Sequence, residues 1–150
     1  MRLNAYSVNY MAYVITHKNI AKVEWLRMSN GATDVFIDIL KLCHQSLPSN
    51  RPSHSLTAWM IKQHEFRIGD GFSGFDIADM PWNKNNFGNQ HECLLSVVDT
   101  MRDKSMWSKL DYEPNEEILF RCISEFRNLL ERMKLQDEEP FDTGYAITFY

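Results

Sequence analysis

Residues 114–133 read Pro-Asn-Glu-Glu-Ile-Leu-Phe-Arg-Cys-Ile-Ser-Glu-Phe-Arg-Asn-Leu-Leu-Glu-Arg-Met, and this run decides the fold class. Ile118, Leu119, Cys122, Ile123, Phe126, Leu129, Leu130 and Met133 recur with the 3.6-residue period of one helix face. Glu117, Arg121, Glu125, Asn128, Glu131 and Arg132 cover the other faces. Pro114 suits a first helical turn, where its missing N–H costs nothing. Glu116 and Glu117 then stand at the positive end of the helix dipole.

Working outward, two further stripes have the same period. Val35, Phe36, Ile39, Leu40, Cys43 and Leu47 share a face of a helix over Thr33–Ser46, with Thr33 as its expected cap and Pro48 as its stop. Leu94, Leu95, Val98 and Met101 point inward from a helix over Gly88–Lys104, with Asp99, Arg102 and Asp103 outward. Three stripes this broad must bury one another. The expectation is a mainly α chain, a single-domain helical bundle over residues 1–150 with at most a small β-hairpin or short strands.

Other segments are less decided. Ile20, Val23 and Leu26 suggest a helix over Lys18–Met28, stopped by Asn30-Gly31. Tyr6, Val8, Tyr10, Ala12 and Val14 alternate like a strand, yet residues 5–15 are apolar on both faces and also permit a helix. Ser55–Arg67 fits helix or strand. Residues 47–53 form a loop by composition, and Phe66-Arg67-Ile68 with Phe75-Asp76-Ile77 would suit a short hairpin.

Length and composition exclude several classes. The chain has 150 residues, of which 44% are hydrophobic and 24% charged, so it is neither disordered nor of low complexity. A net charge of −4 argues against direct binding to nucleic acid. Asn4, Ser7 and Asn9 interrupt any signal-peptide core, and no apolar run reaches the ~20 residues of a membrane span. The reading is a cytoplasmic chain that does not meet a membrane. Cys43, Cys93 and Cys122 are odd in number and lie in helix-like apolar patterns, as reduced thiols do.

No catalytic or cofactor set assembles. Gly69-Asp70-Gly71-Phe72-Ser73-Gly74 matches the dinucleotide fingerprint in letters, but Pro81 follows and no amphipathic helix begins there. Ser73 lacks the second glycine of a nucleophile elbow, since Phe75 occupies that position. Cys43-His44 and His91-Glu92-Cys93 lack zinc spacing, and the five histidines read as surface or capping groups. The expectation is therefore no enzyme, no metal and no cofactor.

Charge and aromatic placement point instead to a protein partner. Residues 1–68 carry a net +4 and residues 69–150 a net −8. Three acidic clusters stand out: Asp70, Asp76 and Asp79; Glu113, Glu116 and Glu117; and Asp137, Glu138, Glu139 and Asp142. Phe72, Phe75 and Trp82 accompany the first as candidate interface anchors. Carboxylates so grouped suit a basic partner, since complementary fields raise association rates and reject wrong partners.

Asp79-Met80-Pro81-Trp82-Asn83, then Phe87, Gln90, Leu94-Leu95 and Leu110–Glu117, resemble small bacterial immunity proteins of contact-dependent growth inhibition and polymorphic toxin systems. The resemblance covers roughly residues 79–133. It implies a cytoplasmic protein without catalysis that neutralises one cognate toxin domain, typically a nuclease, by covering its active-site surface. The alternative is a small-molecule-binding protein or enzyme using residues 69–88 with His64 or His91. The cysteine reading is directly checkable: thiol titration of denatured, unreduced protein is expected to count all three thiols, and a count of one would reveal a disulfide.

Overall fold

The computed structural model describes residues 10–17, 22–68, 87–137 and 144–149. It is mainly helical with a small antiparallel sheet. In chain order the elements are β1 (Tyr10–His17), β2 (Val23–Ser29), α1 (Asn30–Ser46), α2 (Pro52–Ile68), α3 (Phe87–Met101), the short α4 (Lys104–Trp107), α5 (Glu116–Gln136) and β3 (Tyr145–Phe149). The strand order is β2-β1-β3, so the first strand is central and the last closes against it.

The three striped helices are present and pack on one another, with adjusted ends. The cap of α1 is Ser29, whose hydroxyl accepts from the Ala32 N–H at 3.2 Å. Thr33 lies inside the helix and donates back to the Ser29 carbonyl at 2.8 Å, so it is not the cap. The cap of α5 is Asn115, accepting from the Ile118 N–H, which puts Pro114 one residue outside the helix. Ser55–Arg67 resolves as part of α2.

The expected helix over Lys18–Met28 is overturned, because Val23–Ser29 is a strand. Leu26 and Met28 point inward while Val23, Trp25 and Arg27 are exposed, a period of two that competed with the three-residue spacing of Val23 and Leu26. Asn30-Gly31 does not stop a helix; it opens α1. The proposed hairpin also fails on its first arm, since Phe66–Ile68 is the end of α2. Its second arm, and Tyr6 and Val8 of the opening alternation, lie outside the described residues.

Register fixes the inner face of the sheet. Tyr13 pairs with Leu26 and Phe149, Ile15 with Ile147, and His17 with Tyr145, all aimed at the helices. Tyr13 is the hub: its ring meets Phe36 of α1, Phe126 of α5 and Phe149 of β3 at centroid distances of 5.9, 6.1 and 4.9 Å. Its hydroxyl donates to the Met60 carbonyl of α2. Phe36 and Phe126 meet edge to face at 5.7 Å, a favoured aromatic geometry.

The remaining edge of β3 is held by α2. Trp59 Nε1 and Gln63 Nε2 both donate to the Ile147 carbonyl, at 2.9 and 3.1 Å, and Gln63 Oε1 accepts the Phe149 N–H. No described helix is long and apolar enough to cross a membrane. Truncating Phe126 to alanine leaves a cavity among Tyr13, Phe36 and their neighbours and is expected to cost about 3–5 kcal/mol. Chemical denaturation of F126A checks this, and unchanged stability would contradict the aromatic centre.

Candidate functional site

The strongest candidate is an acidic, aromatic face where the α4–α5 connection crosses α1. The connection is anchored by Trp107, which is buried and donates its indole N–H to the Met101 carbonyl at 2.6 Å. With that anchor in the core, residues 108–115 run over the surface and raise Asp111, Tyr112 and Glu113 into solvent. Tyr112 reaches back to α1, where its hydroxyl donates to Asp38 Oδ2 at 2.6 Å. Partial burial, with Asp38, Asp111 and Asp34 nearby, pushes the Tyr112 phenol well above its usual range.

A groove of about 640 Å³ runs beneath this connection, lined by Lys104, Trp107, Asp111, Tyr112, Glu113 and Glu116 among others. A second hollow of about 490 Å³ shares Lys104, Trp107 and Glu116 and extends to Glu117 and Phe120. Lys104 pairs with Glu116 at 3.1 Å, both side chains largely exposed, a contact of small energetic weight. Asp111, Glu113 and Glu117 are exposed and form no ion pair among the described residues. Tyr112, Ile118 and Phe120 lie between 37% and 48% exposed, which is high for large apolar groups so close together in sequence. Arg102 lies over the Phe120 ring at 5.7 Å.

Of the three acidic clusters, the structure brings Glu113, Glu116 and Glu117 together on this face. It adds Asp34 and Asp38, which the sequence reading missed. Their signal was available: two carboxylates at i and i+4, opposite the Phe36, Ile39, Leu40 and Cys43 stripe of α1.

Asp137 is a correction. It is 1% exposed, and its carboxylate meets His17 Nε2 at 2.7 Å and accepts the Gly144 N–H at 2.7 Å. Asp137 caps α5, and Gly144, just before β3, has a φ of 87°, a conformation that suits glycine. The carboxylate is spent inside the fold. Asp70, Phe72, Phe75, Asp76, Asp79, Trp82, Glu138, Glu139 and Asp142 lie outside the described residues.

The reading of the five histidines as surface or capping groups is corrected at His17, His64 and His91, which are buried. His91 is buried, with Nδ1 at 2.6 Å from the Tyr145 hydroxyl and Nε2 at 3.1 Å from Glu131 Oε1. Burial holds the His91 pKa below its usual value, with Glu131 partly opposing the shift. Arg127 continues the network to Asp99 at 2.7 Å. His64, also buried, packs edge-on against Phe149, and neither ring nitrogen has a hydrogen-bond partner. The two rings pack against opposite ends of β3, roughly 13 Å apart along the strand, so they do not form one site. His44 donates or accepts at Nδ1 with the Thr57 hydroxyl and stacks on His54 at 4.2 Å, joining α1 to α2.

Cys43 is buried, Cys93 and Cys122 half-buried, and all three are free thiols. Burial raises the Cys43 thiol to about 11 and Cys122 also rises, which disfavours the nucleophilic thiolate at both. Among the described residues no group of three His, Cys, Asp or Glu side chains is placed to hold a metal ion.

The depressed histidines fix the direction of acid sensitivity. His44, His64 and His91 stay neutral in the fold, chiefly through burial, while the unfolded chain takes up protons near pH 6.5. Stability is therefore full above about pH 6.5 and falls as the pH drops towards the lowered folded values. Replacing His64 by phenylalanine removes two unsatisfied nitrogens, and is expected to add about 1 kcal/mol at neutral pH and blunt the acid loss. Urea unfolding at pH 7.5 and 5.5 checks both, and a destabilised H64F would refute the assignment. Comparison of the chain with protein-family models, curated proteins and solved structures found no match.

Proposed function

We propose that this protein binds a partner protein and covers a basic surface on it, the partner being the toxin domain that the resemblance to immunity proteins implies. The observation that carries the reading is the groove lined by Asp111, Tyr112, Glu113 and Glu116, with Asp38 bonded to Tyr112 and Asp34 near it, which adjoins the hollow that holds Glu117 and the exposed Phe120. A nuclease must attract a polyanion, so its cleft carries lysine and arginine. Carboxylates held where phosphates would lie exploit the same field, and steer the encounter.

Charge alone gives binding that salt dissolves, whereas tight inhibition needs a dehydrated centre of aromatic or aliphatic side chains. Tyr112 and Phe120 supply that centre, with the carboxylates as a rim. The groove between them accepts side chains from the partner. The protein performs no catalysis in this reading, and meets its partner in the cytoplasm. The histidine-based alternative gains no support, because His64 and His91 are buried and separate.

The test mixes the protein with the toxin domain encoded beside it and follows association and dissociation at low and high salt. Neutralising Asp111, Glu113 and Glu117 together (D111N, E113Q, E117Q) is expected to slow association and flatten its salt dependence. Phe120→Ala or Tyr112→Ala is expected to speed dissociation, by roughly 30-fold for an anchor worth about 2 kcal/mol. Absence of a complex, or rates indifferent to all these changes, would overturn the proposal.

A further inference from the structure

A smaller pocket, of about 200 Å³, lies between the α1–α2 connection and α3. One wall is Leu47, Pro48, Arg51 and Ser53; the other includes Cys93, Ser96 and Thr100, one stripe of α3. None of the lining residues is acidic, and the first turn of α2 has no acidic residue. The pocket opens on the N-terminus of a 17-residue helix, whose partial positive charge favours anions.

Two of the donors there are unspent. Pro52, the first helical residue, has no N–H, and the His54 N–H is given to the Arg51 carbonyl at 3.0 Å, which leaves the Ser53 N–H as the free first-turn donor. The Ser53 side chain is the second. Ser53 is 2% exposed, lines the pocket, and makes no side-chain hydrogen bond among the described residues. The Ser53 side chain keeps only this small exposure, and the pocket that it lines is the direction from which a partner can come. The Thr100 hydroxyl donates to the Ser96 carbonyl, which leaves the Ser96 hydroxyl and the Arg51 guanidinium as further donors.

We propose that this pocket binds a phosphate group, either as free phosphate or as the end of a phosphomonoester. Donors arrive from both walls and from the helix axis, which suits a tetrahedral, doubly charged oxyanion better than a planar carboxylate. Arg51 meets the charge from the open side, while Ser53 donates from the buried side through N–H and Oγ–H. The pocket lies apart from the acidic face and does not depend on the partner-binding reading.

The test titrates inorganic phosphate into isotope-labelled protein against sodium chloride at matched ionic strength and follows the backbone amides. Saturable shifts centred on Ser53 and His54 are expected, together with slower alkylation of Cys93 relative to Cys122, read by mass spectrometry. Ser53→Ala, nearly isosteric, and Arg51→Gln, on the surface, preserve the fold and are each expected to weaken phosphate about tenfold, as loss of a charge-assisted hydrogen bond does. Glycerol phosphate moving the same amides identifies a phosphomonoester site, whereas response to inorganic phosphate alone identifies a free-ion site. Equal shifts with chloride, or unchanged affinity in both variants, would overturn the proposal.

Discussion

The fold depends on how the outer edge of β3 is satisfied. A short strand at the edge of a three-stranded sheet presents N–H and C=O groups that must find partners or water. Gln63 answers with a side-chain amide that has the donor and acceptor of a peptide group, bracketing Ile147 and Phe149 as a neighbouring strand would. Trp59, one helical turn earlier, takes the second lone pair of the Ile147 carbonyl. These bonds tie α2 to the far end of the chain, and β3 in turn supplies Phe149, against which Tyr13 packs. Breaking them would leave buried backbone groups unpaired as well as loosening a helix, so the sheet and the bundle stand or fall together.

That constraint explains which elements were legible in the sequence. The helices α1, α3 and α5 each have a wet side, so burial writes a 3.6-residue stripe into them. Helix α2 is covered by α1, α3 and β3, and Leu56, Thr57, Trp59, Met60, Ile61, Gln63 and His64 are all buried. With so little exposed surface there is no amphipathic period to read, and helix and strand look alike. The sequence Tyr-Ala-Ile-Thr-Phe at 145–149 is too short to announce itself, and its partner strand lies about 130 residues away in the chain. Strand β2 was misread because Val23 and Leu26 satisfy a helical spacing by chance, while the alternation of Leu26 and Met28 with Trp25 and Arg27 holds the true period.

Of the candidate site, sequence showed the half that is local. Glu113, Glu116 and Glu117 are close in the chain and flank a cap, so both their clustering and their exposure followed from position. Asp34 and Asp38 join them only through the crossing of the α4–α5 connection over α1, a tertiary event with no mark in composition. Asp137 shows the converse. Within a run of acidic residues it looked like surface charge, yet the pairings with His17 and the Gly144 N–H withdraw it into the core. A count of carboxylates measures the potential surface field; the fold decides how many of them contribute to it.

The two surfaces of opposite character are separated along α1. Asp34 and Asp38 stand in its N-terminal half, whereas Leu47 and Arg51 follow its C-terminus. The stretch of helix between these carboxylates and Leu47 is about 14–20 Å long, roughly two Debye lengths at physiological ionic strength. Exposed charges that far apart are screened from one another, so a basic partner docked on the acidic face gains little repulsion from Arg51. An anion near Ser53 likewise feels little of the carboxylates. The net charges of the two halves of the chain, +4 and −8, therefore do not map onto two faces of the molecule. The acidic face draws on both halves, and it is the rigid helix between the two surfaces that keeps their fields independent.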